Sequence, residues 1–575
     1  MNRRTFLRKP AAPVAALLEQ PATGSDQPPG KGETVSKFAN KDLPATPRSL
    51  AGLAPYTGPW GSQQAAHLLR RATFGPTRAE INTAAGQSLT QVLDRILTVP
   101  SAPPPPVNGF SDAEIPLGSE WVSMSFDSTG VEYYLRESLR SWWIGQMVQS
   151  TTTVEKMTLF WHNHFVTEFE EVFITRPCYR HWSLLRQHAL GNFKQLAKDV
   201  TIEPAMLSYL SGNYNTADAP NENYGRELLE LFTIGKGPII GPGNYTTYTE
   251  ADVQAAARVL TGWQYSEEDF SSFFTDSRHD PSTKHFSSAF GNRTIANQGD
   301  QEYKALIDLI FDRPETAAFL VRKLYRWFVY YVIDATTEAN VIQPLATQFK
   351  NNGYDVAPIL RTLLGSEHFF DMVNMGCMIK SPVDFVVGTV RQLAVALPPE
   401  SNIEGLYYSW DWMSESTDRM QQLLGDPPNV AGWAAYWQTP QYYEMWINAT
   451  TLLERSRYTQ ALIRQDGYTF SYPTGRHTLR IDVIAFVRSL PAATASDCNL
   501  MIAELNQLLL PLPLTASQLA ALKTELIGTL PDFEWTVEWQ AFLAAPNDMT
   551  IRNALETKLR ALVRQIINMA EYHLS

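Results

Sequence analysis

The chain has 575 residues, of which 44% are hydrophobic and 18% charged, a globular composition with material for one large core or a few ordinary ones. Lys and Arg number 47 against 59 Asp and Glu, a formal charge of −12 that repels nucleic acid and anionic membrane unless a local basic patch intervenes, and outside the extreme N-terminus there is none, so no nucleic-acid partner is expected. No apolar run reaches the roughly 18 residues of a bilayer span, and the three cysteines, Cys178, Cys377 and Cys498, have neither zinc-thiolate nor disulfide spacing, so they are expected as packing residues.

The chain opens with Asn2-Arg3-Arg4-Thr5-Phe6-Leu7, which looks like a twin-arginine export signal and predicts a periplasmic or secreted protein, with a cytoplasmic one as the alternative. Its apolar part, Ala11 to Leu18, is short and carries Pro13. Residues 1–59 are expected to be this signal and a disordered leader rich in Pro, Gly, Ser and Thr.

From Ser62 onward the hydrophobic period is helical: Gln64 to Arg71, Thr90 to Leu97, Val131 to Gln149, Val154 to Phe165 and Tyr179 to Lys198. Arg70 and Arg71 close the first helix, where the macrodipole favours cations and no function is required; His67 is left unexplained. The proline-rich 101–106 segment reads as a polyproline II linker. In Phe160-Trp161-His162-Asn163-His164-Phe165 the two histidines point about 200° apart on a helix, so one at most faces a given site. His164 has Glu168 one turn on, a pair suited to a metal or an oriented imidazole, and either ring serves equally well as a core residue.

The densest charge lies in 221–235, where Glu222, Arg226 and Glu230 form one row of a helix with Glu227 beside it, opposite Tyr224, Leu228, Leu231 and Phe232. Such a row carries a cation or a reaction, or is a solvated face cross-linked by Glu–Arg pairs. Gly235 is placed to stop this helix, and Thr249 with Asp252 forms a capping box for the next, Glu250 to Leu260. The polar loop Arg278-His279-Asp280-Pro281 offers an imidazole and a carboxylate for base chemistry, or merely a turn. Helices are expected at Tyr303 to Phe311 and Glu315 to Val332, then near Ile481 to Leu490, Ser496 to Leu510, Thr515 to Ile527 and Thr550 to Tyr572. Between them, Asp426-Pro427-Pro428-Asn429-Val430-Ala431-Gly432-Trp433, followed by Tyr436, Trp437, Tyr442, Tyr443 and Trp446, suits a sugar-stacking surface, a cofactor wall or plain packing. The predicted fold class is mainly α: a large multi-helix single domain over 60–470 with irregular loops, and a C-terminal helical extension, 471–575, packed on it. The motifs of serine hydrolases, P-loop and dinucleotide enzymes, HExxH zinc proteases and calcium loops are absent from the sequence.

In order along the chain, His67-Leu68-Leu69-Arg70-Arg71, Phe160 to Phe165, Asn221-Glu222-Asn223 with Arg226-Glu227-Leu228, Leu260-Thr261-Gly262-Trp263, His279-Asp280, Lys380-Ser381-Pro382 and Pro427-Pro428-Asn429-Val430 with Gly432-Trp433 resemble the bacterial family known as domain of unknown function 1800. The resemblance implies a recurrent set of His, Glu, Asp, Arg and Trp residues and frequent export. Read chemically, the set predicts a metal- or cofactor-dependent enzyme: Glu222, Glu227 and Glu230 with His162 or His164 as ligands of a divalent metal, His279, Asp280 and Arg226 as catalytic groups, and Trp263 and Trp433 as cofactor-binding walls. The Glu-x-x-His pairs of helical di-metal proteins are missing. The rival expectations are a non-catalytic binding or assembly protein in which the same residues form a buried polar network, and a polysaccharide-binding protein using Trp433, Tyr436 and Trp437 with an exported protein or glycan as partner.

Overall fold

A computed structural model of the protein describes residues 49–111, 114–124 and 129–575. The export motif and residues 1–48 lie outside the described residues, whereas 49–59, expected as disordered leader, are packed on the domain: Ser49 Oγ donates to Asp371 at 2.6 Å and Tyr56 N to Gly365 O at 2.9 Å. Helices carry the fold, and the described strands occur only as two-stranded antiparallel ribbons, the longest pairing Tyr468–Tyr472 with Gly475–Leu479.

Local chemistry sets many of the helix boundaries. Capping boxes open Arg78–Ala85 (Thr77 with Glu80), Leu89–Ile96 (Ser88 with Gln91) and Glu250–Val259 (Thr249 with Asp252). Pro314 occupies the first turn of Pro314–Phe328, where its missing N–H costs nothing. The expected 179–198 helix is two helices, Thr175–Gln187 and Phe193–Thr201. Asn192 caps the second by accepting from Gln195 N at 3.0 Å, so a side-chain oxygen competes successfully with a continuous helix. The acidic segment also changes character part-way, from an α-helix over Glu222–Glu227 to a π-helical turn over Leu228–Thr233. Gly235 ends it at φ +73°, and a Cβ there would lie 2.5 Å from the Phe319 ring.

Helices not anticipated from periodicity fill the middle of the chain: Gln343–Asn351, Val356–Leu364, Pro382–Gln392, Ile403–Arg419 and Ala449–Ile463. Pro382–Gln392 is buried at nearly every position, so it lacks the polar face that makes a helix visible in sequence.

The core is continuous from Ala65 to Tyr572, and Ser49–Ser575 forms one compact unit. Trp161 is fully buried between Phe165 and Phe193, with its Nε1–H on Ala189 O at 3.1 Å. The C-terminal helix Met549–Ile567 joins the rest through Arg560, whose Nη1 donates to Ile463 O at 2.8 Å and Ile481 O at 3.2 Å. Beyond it, Lys380 N donates to His573 O and Ser575 N to Met378 O, each at 2.8 Å, stitching the last residues to segment 378–380. Cys178 and Cys498 are buried and Cys377 half-buried, all three as free thiols. Among the described residues no helix is long and apolar enough to cross a membrane.

Candidate anion-binding site

The residues singled out in the sequence do not share one centre. Glu222 and Arg226 are partners in a surface ion triad, with Arg226 Nη2 3.0 Å from Glu222 and its guanidinium bidentate on Glu250. Glu230 accepts from Tyr248 Oη at 3.0 Å and contacts Lys236 Nζ. Glu227 has neither cation; burial and then the Glu230 charge lift its carboxyl to about 7.

His164 does meet the acidic segment, through backbone rather than carboxylate. Its Nε2–H donates to Phe232 O at 2.8 Å, and its Nδ1 accepts from Lys323 Nζ at 3.0 Å while the same ammonium donates to Leu231 O at 2.9 Å. These two carbonyls lie at the end of the π-helical turn, where the backbone supplies no helical donors. Glu168 instead accepts from Tyr209 Oη at 2.6 Å, so the expected His164–Glu168 pair is not formed.

His162 lies on the far side of its helix, ringed by Trp143, Trp182 and Trp433 at 5.4–5.8 Å, with burial holding its pKa down at about 3. Among the described residues no three of His, Cys, Asp and Glu come close enough together to hold a metal ion. The five expected ligands therefore do not fit a common divalent site: His162 is caged by indoles, His164 is engaged by a carbonyl and an ammonium, and Glu222 and Glu230 are ion-paired to different cations.

His279 and Asp280 sit in a buried clasp. His279 Nδ1 lies 2.9 Å from Thr261 O and Nε2 3.0 Å from Glu302, whose other oxygen is 2.5 Å from Lys284 Nζ. Asp280 holds Arg258 at 2.5 Å and Ser282 N at 2.8 Å. Glu302 and Lys284 are wholly buried, so this cluster ties the 279–285 loop to helix Glu302–Phe311 rather than presenting a base to a ligand. The two tryptophans expected to wall a cofactor pack instead: Trp263 edge-on to Phe274 and Tyr303, and Trp433 on His162.

The groups that do converge come from other parts of the same motifs. Helix Ser62–Ala72 buries Arg70 and Arg71, and neither guanidinium turns to its own helix end. Arg70 Nη2 donates to Gln507 O at 2.6 Å and Leu508 O at 3.0 Å; Arg71 Nη2 donates to Asn374 O at 3.0 Å. The macrodipole explanation is thereby replaced by long-range contacts. His67, on the same helix, lies 3.1 Å from Phe369 O, and burial with the Arg71 charge lowers its pKa to about 3, so it is a neutral donor to that carbonyl.

Lys156, from Val154–His164, contacts Asp384. Ser381 caps helix Pro382–Gln392 by accepting from Asp384 N at 3.1 Å, and its hydroxyl donates to Asp384 Oδ2 at 2.9 Å, which aims that carboxylate at Lys156. Lys380 Nζ donates to Tyr572 O at 2.7 Å and lies 4.4 Å from the ring of Tyr572. Arg455 Nη2 donates to Lys380 O at 2.7 Å.

Arg70, Arg71, Lys156, Lys380 and Arg455 are each less than a tenth exposed, and among the described residues only Lys156 has a carboxylate partner. Burial is the main cause of a Lys380 pKa near 7, with Arg70 and Arg455 adding to it, and burial likewise lowers Arg70 to about 10 and Arg455 to about 9. Arg70 Nε, Arg71 Nε and both Nε and Nη1 of Arg455 find no acceptor. A cavity of about 30 Å³ opens among Arg70, Arg71, Lys156 and Ser381, walled by Tyr436, Tyr443 and Trp446, and a second of about 10 Å³ lies beside it at Lys380.

The chemistry of the cavity suits an anion: clustered donors, one side-chain carboxylate, that of Asp384, and aromatic walls, with Ser575 also in the lining of both spaces. A family model described as protein of unknown function (DUF1800) matches residues 67–567. The chain belongs to the DUF1800 family. No curated protein and no solved structure matches it. The segments by which the chain resembles DUF1800 divide between two tasks. His67, Asn163, His164, Gly432 and Trp433 hold the scaffold, whereas Arg70, Arg71 and Ser381 line the cavity and Lys380 lines its neighbour. The signal available in sequence was the adjacent Arg70-Arg71 pair following the largely apolar Ala65-Ala66-His67-Leu68-Leu69 run, together with Lys380-Ser381-Pro382; charge on a helix that must be buried is the informative kind.

Proposed function

We propose that this DUF1800 protein binds a small anion-bearing ligand in the cavity formed by Arg70, Arg71, Lys156, Ser381 and the Tyr436–Trp446 wall. The observation that carries the reading is the set of four buried cations that line the two cavities, Arg70, Arg71, Lys156 and Lys380, with Arg455 behind Lys380, served by a single ion-paired side-chain carboxylate, Asp384. Buried charge is tolerated only when paired or hydrogen-bonded, and an anion supplies both the countercharge and acceptors for the idle guanidinium N–H groups. Arginine forks suit carboxylate, phosphate or sulfate oxygens. Lys380, titrating near pH 7, adds a group able to take and return a proton beside a bound anion, which makes an enzyme of the same site a consistent extension.

The test is thermal denaturation and calorimetric titration of the full chain with acetate, sulfate and phosphate at fixed ionic strength. Saturable stabilisation by at least one anion, abolished in Arg71→Gln, is the expected result; identical melting in all three salts and in chloride overturns the reading.

The divalent-metal reading draws no support from this geometry. The rival reading of the motif residues as a buried polar network is supported at His279, Lys284 and Glu302, and at His164 with Lys323. Export through the twin-arginine route is proposed on Arg3 and Arg4 alone, and fractionation of cells carrying Arg3→Lys with Arg4→Lys tests it: retention inside the cell is expected, unaltered location refutes it.

A further inference from the structure

Arg70 lines not only the two small cavities but also a third, of about 200 Å³, between the start of helix Ser62–Ala72 and the end of helix Cys498–Leu509. The other lining groups are Gln63, Asn506, Gln507 and the apolar turn Leu510-Pro511-Leu512-Pro513. This turn is held from behind: a Cβ on Gly376, itself at φ +64°, would meet Pro511 Cγ at 3.1 Å and Leu512 Cδ1 at 3.2 Å. Asn506 Oδ1 is buried with no donor, and Arg70, fixed by its Nη2 on Gln507 O and Leu508 O, keeps an unused Nε–H. A buried acceptor and a buried donor on the same wall, each without a partner, are costly unless something in the groove serves them.

We propose that this groove is the subsite for the neutral part of the ligand whose anionic head lies in the cationic cavity, and that the ligand is an organic carboxylate carrying an N–H donor a few bonds from its acid, the chemistry of an N-acylated amino acid. The inference rests on the anion-binding reading and deepens it. Arg70 lines both spaces, and in this proposal the carboxylate answers the cations, the N–H answers Asn506, and the acyl or side-chain carbons cover Leu510 and Pro511. An inorganic anion answers only the first of these.

Calorimetric titration of the full chain with acetate, 4-methylpentanoate and N-acetyl-L-leucine separates the contributions. One hydrogen bond to a buried acceptor is worth about tenfold in affinity, so N-acetyl-L-leucine is expected to bind at least that much more tightly than 4-methylpentanoate, which has the apolar tail without the N–H. Asn506→Leu is expected to erase that advantage and Gln63→Trp, from the rim, to weaken both tailed acids, with acetate unaffected by either variant. If acetate binds but the three acids bind alike, or both variants leave their order intact, the groove is not a subsite and the anion-binding reading survives. If none of the three binds, nor sulfate nor phosphate, both fall together.

Discussion

Lys156 and Asp384 form the one ion pair within a group of five buried cations, and the serine that caps the helix of Asp384 also orients its carboxylate. Removing that charge while keeping the shape leaves Lys156 buried beside Arg71 without compensation. Asp384→Asn is expected to destabilise the fold by about 3 kcal/mol, read from urea denaturation. Sulfate at tens of millimolar is expected to restore part of the loss in the variant and less in the wild type, because the variant lacks the native countercharge; no difference in salt response between them contradicts an anion site here.

Lys380 supplies a pH signature. Its folded pKa of about 7 lies below that of a free lysine, so the unfolded chain binds the extra proton between the two values. Stability contributed at this residue therefore rises as pH climbs from about 7 toward the free-lysine value, and the cost of burying the ammonium is fully present below 7. A bound anion favours the ammonium, so affinity for sulfate, which does not titrate in this range, is expected to fall between pH 6 and 8. Lys380→Met is expected to flatten that profile and to stabilise the unliganded protein at pH 6. A wild-type profile that is already flat excludes Lys380 from the site.

Glu227 has the opposite sign. Its folded pKa of about 7 exceeds the ordinary carboxylate value, so the native state holds the proton more tightly and stability is lost as pH rises from about 4.5 through 7. Glu227→Gln keeps the volume and removes the charge. At pH 8 it is expected to stabilise on the order of 1–2 kcal/mol, with no gain at pH 4; equal effects at both pH values place the cause elsewhere.

Gly432 has a sharper requirement. It sits at φ +85°, and a Cβ there would stand 2.3 Å from Asn163 Oδ1, the atom that accepts from Trp433 N at 2.9 Å. Gly432→Ala is expected to cost about 2–4 kcal/mol through the left-handed backbone and the displaced Asn163, and to weaken anion binding as the 433–446 wall shifts. Chemical denaturation with sulfate titration checks both, and wild-type stability in the variant disproves the contact.

Much of this protein is written locally. The helix starts at Thr249 with Asp252, the stop at Gly235 and the Glu222–Arg226 pairing depend on residues within a turn or two of one another, and they stand as the sequence predicts. The break at Asn192 was also local, but a side-chain cap is invisible to a reading based on hydrophobic period. Among the middle helices, Pro382–Gln392 escaped because near-complete burial erases the polar face that periodicity detects; Gln343–Asn351 and Ala449–Ile463 keep exposed positions, and burial does not explain why they were missed.

The site belongs to the other kind of information. Nothing near Arg70 in sequence indicates Gln507, Lys380 or Asn506, and nothing near His162 indicates that Trp433 rather than a carboxylate faces it. Residue type and spacing determined a mainly helical DUF1800 chain with its caps, stops and surface ion pairs, since those follow from backbone geometry over a few residues. Which charges are buried, and therefore which must find a partner, was decided by the packing of distant helices, because desolvation depends on everything that surrounds a group in space and on nothing that merely adjoins it in the chain.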